Sequence, residues 1–223
     1  MTIPKIGFAA LWAGLAVYAF FLAPPNQPDT FELIKNLSLG QLDGINPLIV
    51  ALFYIMGVWP MIYSCVLFFD GRVQKIPAFP FAAFSFGVGA FALLPYLALR
   101  EPNPTFVGKK NLFLKLLDSR WTGIALAIAV ALIVTYGLSN GDWHDYVQQW
   151  RTSRFIHVMS IDFCLLCLLF PALLQDDMAR RGGQNASLYW IALIPLFGPL
   201  VYLCIRPPLA AQEVPSTSTP VVN

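Results

Sequence analysis

Residues 47–69 read PLIVALFYIMGVWPMIYSCVLFF, with no charged side chain among them. As a helix rising about 1.5 Å per residue, the stretch is longer than the roughly 30 Å hydrocarbon core of a bilayer. A backbone in hydrocarbon must satisfy its own N–H and C=O groups, so a lipid-borne segment of this kind is helical. The stretch ends in a short polar loop, Asp70-Gly71-Arg72-Val73-Gln74-Lys75, and is preceded by Gly44 at the point of re-entry.

Five more apolar stretches surround it, at about 6–23, 80–99, 122–138, 155–174 and 188–205. The expected fold is therefore all-α: one polytopic membrane bundle of about six transmembrane helices in residues 1–206. The tail 207–223, rich in Pro, Ser, Thr and Val, is expected to be disordered. Of the 223 residues, 57% are hydrophobic and 12% charged, against roughly 25% charged in a soluble domain. Six spans leave no room for a separate soluble catalytic domain. A net charge of +2 gives no reason to expect nucleic acid as a partner.

The connections carry amphipathic pieces. Thr30–Leu39 sets Phe31, Leu33, Ile34 and Leu37 against Glu32, Lys35 and Asn36, with Asp29 or Thr30 as the cap. Asn111–Trp121 and the aromatic stretch Ser139–Arg154 read as two more surface helices. Asp176–Asn185 reads as a charged turn. With six crossings, six Lys and Arg fall on the side of the N-terminus and eight on the other. The rule that positive loops stay inside leans toward placing the long basic loop, Arg100 to Arg120, in the cytoplasm or stroma.

Few residues advertise chemistry. Asp162 lies about seven residues into the fifth stretch, where a carboxylate costs about 2.5 kcal/mol or more at the bilayer centre. It must find a partner or take up a proton, and it is the candidate for a substrate or proton pathway. Ser64, Ser85, Tyr63 and Tyr96 are candidate partners. His157, five residues earlier, lies about 140° around the helix from Asp162, so the two do not pair on one face. A neutral imidazole there is a candidate ligand for a metal or for the magnesium of chlorophyll. Cys164 and Cys167 sit one turn apart mid-helix, without the helix N-terminus or exposure that redox cysteines use. With Cys65 and Cys204 they read as small buried hydrophobes. No structural zinc pattern, phosphate loop, GxSxG or HExxH motif occurs. Pro60, Pro95, Pro171, Pro195 and Pro199 lie inside apolar stretches and should kink them.

Two sets of motifs look familiar. Asn46-Pro47-Leu48, Gly57-Val58-Trp59-Pro60, Phe69-Asp70-Gly71-Arg72, Gln74-Lys75-Ile76-Pro77, Ala92-Leu93-Leu94-Pro95-Tyr96, Arg100-Glu101-Pro102-Asn103-Pro104 and His157-Val158-Met159-Ser160-Ile161-Asp162-Phe163 together resemble a family of uncharacterised polytopic membrane proteins from cyanobacteria and plastids. The resemblance covers nearly the whole chain apart from its ends. It implies a thylakoid, cyanobacterial plasma-membrane or plastid-membrane location and supplies no reaction. Asp176-Asp177-Met178-Ala179-Arg180-Arg181, Trp190, Ile194-Pro195-Leu196-Phe197-Gly198-Pro199, Tyr202 and Arg206-Pro207 resemble the two-helix membrane module that precedes some phospholipase-D-type catalytic domains. In that module the hairpin anchors, and Gly198 would permit close helix approach.

The expectation is a non-enzymatic membrane protein that assembles, stabilises or positions other membrane components. Its partners would be the bilayer and, given the resemblance, photosynthetic complexes, with chlorophyll or carotenoid as bound pigment. Two other classes stay open. One is a small-solute or ion transporter with Asp162 in the pathway, which needs a polar route from both faces. The other is an enzyme acting on a lipid-soluble substrate, which needs Asp162 and a second polar group converging on a lateral pocket.

Overall fold

The computed structural model describes residues 3–183 and 186–209; the expected disordered tail falls largely outside them. All regular elements among the described residues are helical. Four helices are long and apolar enough to cross a membrane, and the chain is a membrane protein on that ground. The first is α1 (Ile3–Val17), extended by a π-helical turn (Tyr18–Leu22) and stopped by Pro24 and Pro25, which disfavour helix in the residues before them. After α2 (Thr30–Leu39) comes the second, α3 (Pro47–Asp70), capped by the Asn46 side chain, which accepts from Leu48 N.

The stretch expected as a third crossing is not one. It divides into α4 (Ala78–Val88) and α5 (Ala90–Leu99), joined at Gly89 with φ +51°. Gly71, at the end of α3, abuts Ala78 at the start of α4. Arg100, just past α5, binds Asp70 at the end of α3. The pair is thus a hairpin that enters the bundle and returns to the same face. Each limb is about 15 Å long by helical rise, half a bilayer. Twenty apolar residues satisfy a hydropathy window whether they cross once or turn back halfway, which is why the sequence reads as a span.

Next come α6 (Leu112–Asp118), the third crossing α7 (Arg120–Asn140), and the interfacial α8 (Trp143–Thr152), capped by Asp142. The fourth crossing joins α9 (Arg154–Leu169) to α10 (Pro171–Arg180). Phe170 keeps helical dihedrals and Pro171 sits at the joint, so the proline kinks the span without ending it. The acidic pair Asp176-Asp177, expected in a turn, belongs to the last turns of α10.

The sixth expected crossing is a second hairpin, α11 (Ala186–Ala192) and α12 (Phe197–Ile205). Its tip holds Leu196 at φ 61° and ψ −57°, with Phe197 N donating to Pro195 O at 2.7 Å. That is a γ-turn of the rare, strained hand. Gly198 lets the limbs touch: a Cβ there would lie 2.3 Å from Ile191 O.

Both hairpins enter from the face that carries Lys5 and Leu209, called here the near face. Lys5 pairs with Glu101 and Leu209 N donates to Asp118, which marks it at both ends of the described residues. Four crossings and two hairpins redistribute the positive charge. Only Lys35, Arg151 and Arg154 remain on the far face, and the other eleven of the fourteen Lys and Arg lie on the near one. The near-balance expected for six crossings is thereby replaced by strong asymmetry. The positive-inside rule then predicts that the near face lies on the inner side of the membrane. Cysteines introduced at Asp43 (far) and Lys75 (near) into a chain lacking its native cysteines test this. In intact cells or sealed vesicles of known sidedness, a membrane-impermeant maleimide should label only position 43 from outside.

Candidate functional site

Two polar constellations interrupt the apolar interior, and they differ in kind. The larger lies at the near face, where α3, α5, α6, α10 and α12 end. Asp70 accepts from Arg100 Nη2 at 2.6 Å, Arg100 Nε at 2.8 Å and Tyr96 Oη at 2.6 Å, and is met by Arg180 at 3.3 Å. Asp177 accepts from Arg181 Nε at 2.9 Å, Tyr202 Oη at 2.7 Å and Arg206 Nη1 at 3.1 Å. Asp118 takes Arg181 Nη1 at 2.6 Å and Lys110 at 2.7 Å, while Asp176 pairs with Arg100. Asp70, Asp177, Arg180 and Arg206 are all buried. Burial opposes the charge on Arg181, but Asp177 and Asp118 outweigh it and hold its pKa above the ordinary value. Four carboxylates face four guanidiniums and one ammonium, so charge is nearly cancelled and little is left to offer a ligand. The cluster ties the returning ends of both hairpins to two spans.

The second constellation lies deep in the bundle, around Asp162 on α9. Its Oδ1 accepts from Ala90 N at 2.9 Å. The carboxylate therefore caps the N-terminus of α5, where the helix dipole favours negative charge. Gly89 makes this possible: a Cβ there would sit 1.8 Å from Asp162 Oδ2. None of the four expected partners holds Asp162. Tyr63 donates to Leu166 O, Tyr96 to Asp70, Ser64 to Pro60 O and Ser85 to Ala82 O. A backbone donor supplied by a bent hairpin leaves no side-chain signature, so sequence alone could not have named it.

Asp162 borders a cavity of about 590 Å³. One wall is α3 with Phe53, Met56 and Gly57; another is the hairpin tip from Ser85 to Gly89. Phe155, Val158 and Met159 of α9 and Ala19 and Phe20 of the π-turn complete it, and Asn26, Thr30 and Arg154 stand at the far-face mouth. Phe20, Phe86 and Val88 are exposed on the bundle's flank, so the cavity also meets lipid. Volume and lining fall in the range of small-molecule sites, which are mostly apolar with a few convergent polar groups.

A scan against protein-family models, a search of curated proteins and a search of solved structures found no match to the chain.

His157, the candidate pigment or metal ligand, points away from this cavity. Its Nδ1 lies 2.8 Å from Trp150 O, a carbonyl that can only accept, so Nδ1 carries the proton. Nε2 then accepts from Tyr18 Oη at 2.7 Å, and the ring stacks on Trp150 with centroids 4.3 Å apart. A metal or magnesium ligand at Nε2 would have to displace Tyr18. The residue as it stands locks the π-turn and α8 onto α9. No group of three or more His, Cys, Asp or Glu able to hold a metal ion occurs among the described residues. The four cysteines are free thiols.

The near-face cluster was missed as a unit by sequence reasoning, which read Asp176–Asn185 as a charged turn. The available signal was the recurrence of Asp or Arg at the ends of four apolar stretches: Asp70, Arg100, Asp177 and Arg206.

Proposed function

We propose that the protein is a non-enzymatic membrane protein that holds a lipid-soluble molecule in the cavity beside Asp162. In this reading it serves as an accessory, assembling or stabilising factor for other membrane complexes. The observation that carries the reading is the cavity itself: about 590 Å³, apolar-walled, open toward lipid and the far face, with one carboxylate at its floor. The resemblance to cyanobacterial and plastid membrane proteins supplies the photosynthetic setting and makes a carotenoid or chlorophyll a candidate occupant.

The geometry favours binding over transport. On the near-face side of Asp162, the buried Leu93, Leu94, Leu166, Phe170 and Leu173 fill the interior, and beyond them lies the neutralised ion cluster. A solute reaching Asp162 would have no polar groups to follow onward. Binding is also favoured over catalysis. Ser85 is the one hydroxyl-bearing wall residue near Asp162, and its hydroxyl is committed to Ala82 O at 2.7 Å; general acid–base work asks for a second positioned group.

Gly57 provides the test. A Cβ built there meets nothing within 4 Å, although the residue borders the cavity. Gly57→Phe fills the space from within a span and removes a helix-weakening glycine. The variant should melt at or above the parent temperature in detergent. It should also lose the lipid-soluble molecules that mass spectrometry finds co-purifying with the parent. An unchanged inventory would overturn the reading. A gentle-detergent pull-down with an absorbance spectrum tests the setting, since stoichiometric photosynthetic subunits or bound pigment are expected.

A further inference from the structure

We infer that the occupant of this cavity is a neutral alcohol, an elongated apolar molecule whose terminal hydroxyl donates to Asp162. This rests on the cavity-binding reading and specifies its ligand. Asp162 is buried, with one oxygen engaged by Ala90 N and no hydrogen bond to the other among the described residues. That second oxygen sits against Gly89, at the edge of the cavity. A carboxylate oxygen accepts and does not donate, so it selects a donor. The second oxygen is not sealed in the interior but opens onto the cavity, where a donor on a bound molecule can reach it. The hydrogen bond from Ala90 N and the α5 N-terminus offset part of the cost that burial places on the ionised form.

A terminal donor on an elongated lipid is most simply a hydroxyl or an ammonium group, and the lining chooses between these two. Asp162 is the one acid among the lining residues, and Arg154 stands at the mouth. Arg154 puts a positive charge into the same lining and repels a cationic occupant by either route, whereas a neutral alcohol meets no such repulsion. The walls of Phe53, Met56, Phe155, Val158 and Met159 offer the body of such a molecule only apolar contact.

The test uses all-trans-retinol and retinyl methyl ether, which share one polyene and differ in the hydroxyl proton. Binding is followed by fluorescence quenching on the purified full chain in detergent. The parent should bind the alcohol about 10- to 100-fold more tightly, the ratio that a hydrogen bond to a charged acceptor supports. Asp162→Asn should erase that preference, because its amide oxygen can serve Ala90 N while its NH₂ faces the cavity. Infrared difference spectra of the parent should show a carboxylate shift with the alcohol and none with the ether, a readout that does not depend on the variant folding. Equal binding of both probes, blocked by Gly57→Phe, would overturn the alcohol inference and leave the cavity reading standing. Retention of the preference in Asp162→Asn would likewise overturn it. Failure of the parent to bind either probe would overturn both.

Discussion

Asp177→Ala is expected to cost about 3–5 kcal/mol of stability, the usual consequence of removing one partner from a buried ion cluster. The loss would show as a sharply lowered melting temperature in detergent. The reason lies in what remains. Arg206 would lose its carboxylate at 3.1 Å, Arg181 one of its two carboxylates at 2.9 Å, and Tyr202 its acceptor at 2.7 Å. These groups are buried and cannot turn to water. Coulomb repulsion among the guanidiniums, until then screened by Asp177, adds to the desolvation cost. Arg206 anchors the end of α12, where it also donates to Cys65 O and Leu117 O, so the second hairpin should be the first element to loosen. Limited proteolysis would report that as new cleavage near residues 186–206. Asp43→Asn, at an exposed position, should stay within about 0.5 kcal/mol of the parent. Equal melting temperatures for the two variants would mean that the cluster contributes nothing measurable.

Gly89→Ala and Gly87→Ala should act with opposite signs, although they add the same methyl group two residues apart. At Gly89 the new Cβ would meet Asp162 Oδ2 at 1.8 Å, and the backbone φ of +51° disfavours any side chain. Overpacking costs about 1–3 kcal/mol and a strained backbone a similar amount. The cap on Ala90 N would be lost as the carboxylate is driven away. The sum should be about 3 kcal/mol or more. At Gly87, inside α4, a Cβ meets nothing within 4 Å, and alanine should stabilise the helix by about 0.5–1 kcal/mol. Thermal denaturation of the two variants side by side decides the matter. If Gly89→Ala is neutral, the tip does not rest on Asp162 as described.

The helices were largely legible in the sequence. Thr30–Leu39 is the amphipathic α2 residue for residue, and the long apolar runs containing Pro60 and Pro171 are the spans α3 and α9–α10. Depth was not legible. A run of apolar residues reports that a segment avoids water, and nothing in that chemistry distinguishes one crossing from two half-crossings. The break at Gly89 depends on a carboxylate seventy-three residues away. The break at Leu196 places a bulky residue where local propensity would not put one. Asp162 was singled out because its cost is intrinsic to the residue. Its partner was hidden because backbone amides look alike in every sequence. The same holds for His157, whose two hydrogen bonds go to a carbonyl and to a tyrosine on a different helix.

The half-depth hairpins have a consequence for where a ligand comes from. Because α4 and α5 turn back at Gly89, the cavity occupies the space that a full crossing would have filled, and it opens only above that turn. If the cavity holds a lipid-soluble molecule as proposed, that molecule would come from one leaflet of the bilayer. A molecule dissolved in the far leaflet can slide sideways past Phe20 and Phe86 to reach Asp162, while the same molecule in the other leaflet meets a wall of closely packed helices. Occupancy would then depend on how quickly the molecule flips between the two monolayers, and a lipid made on the near side would have to change sides before it could bind.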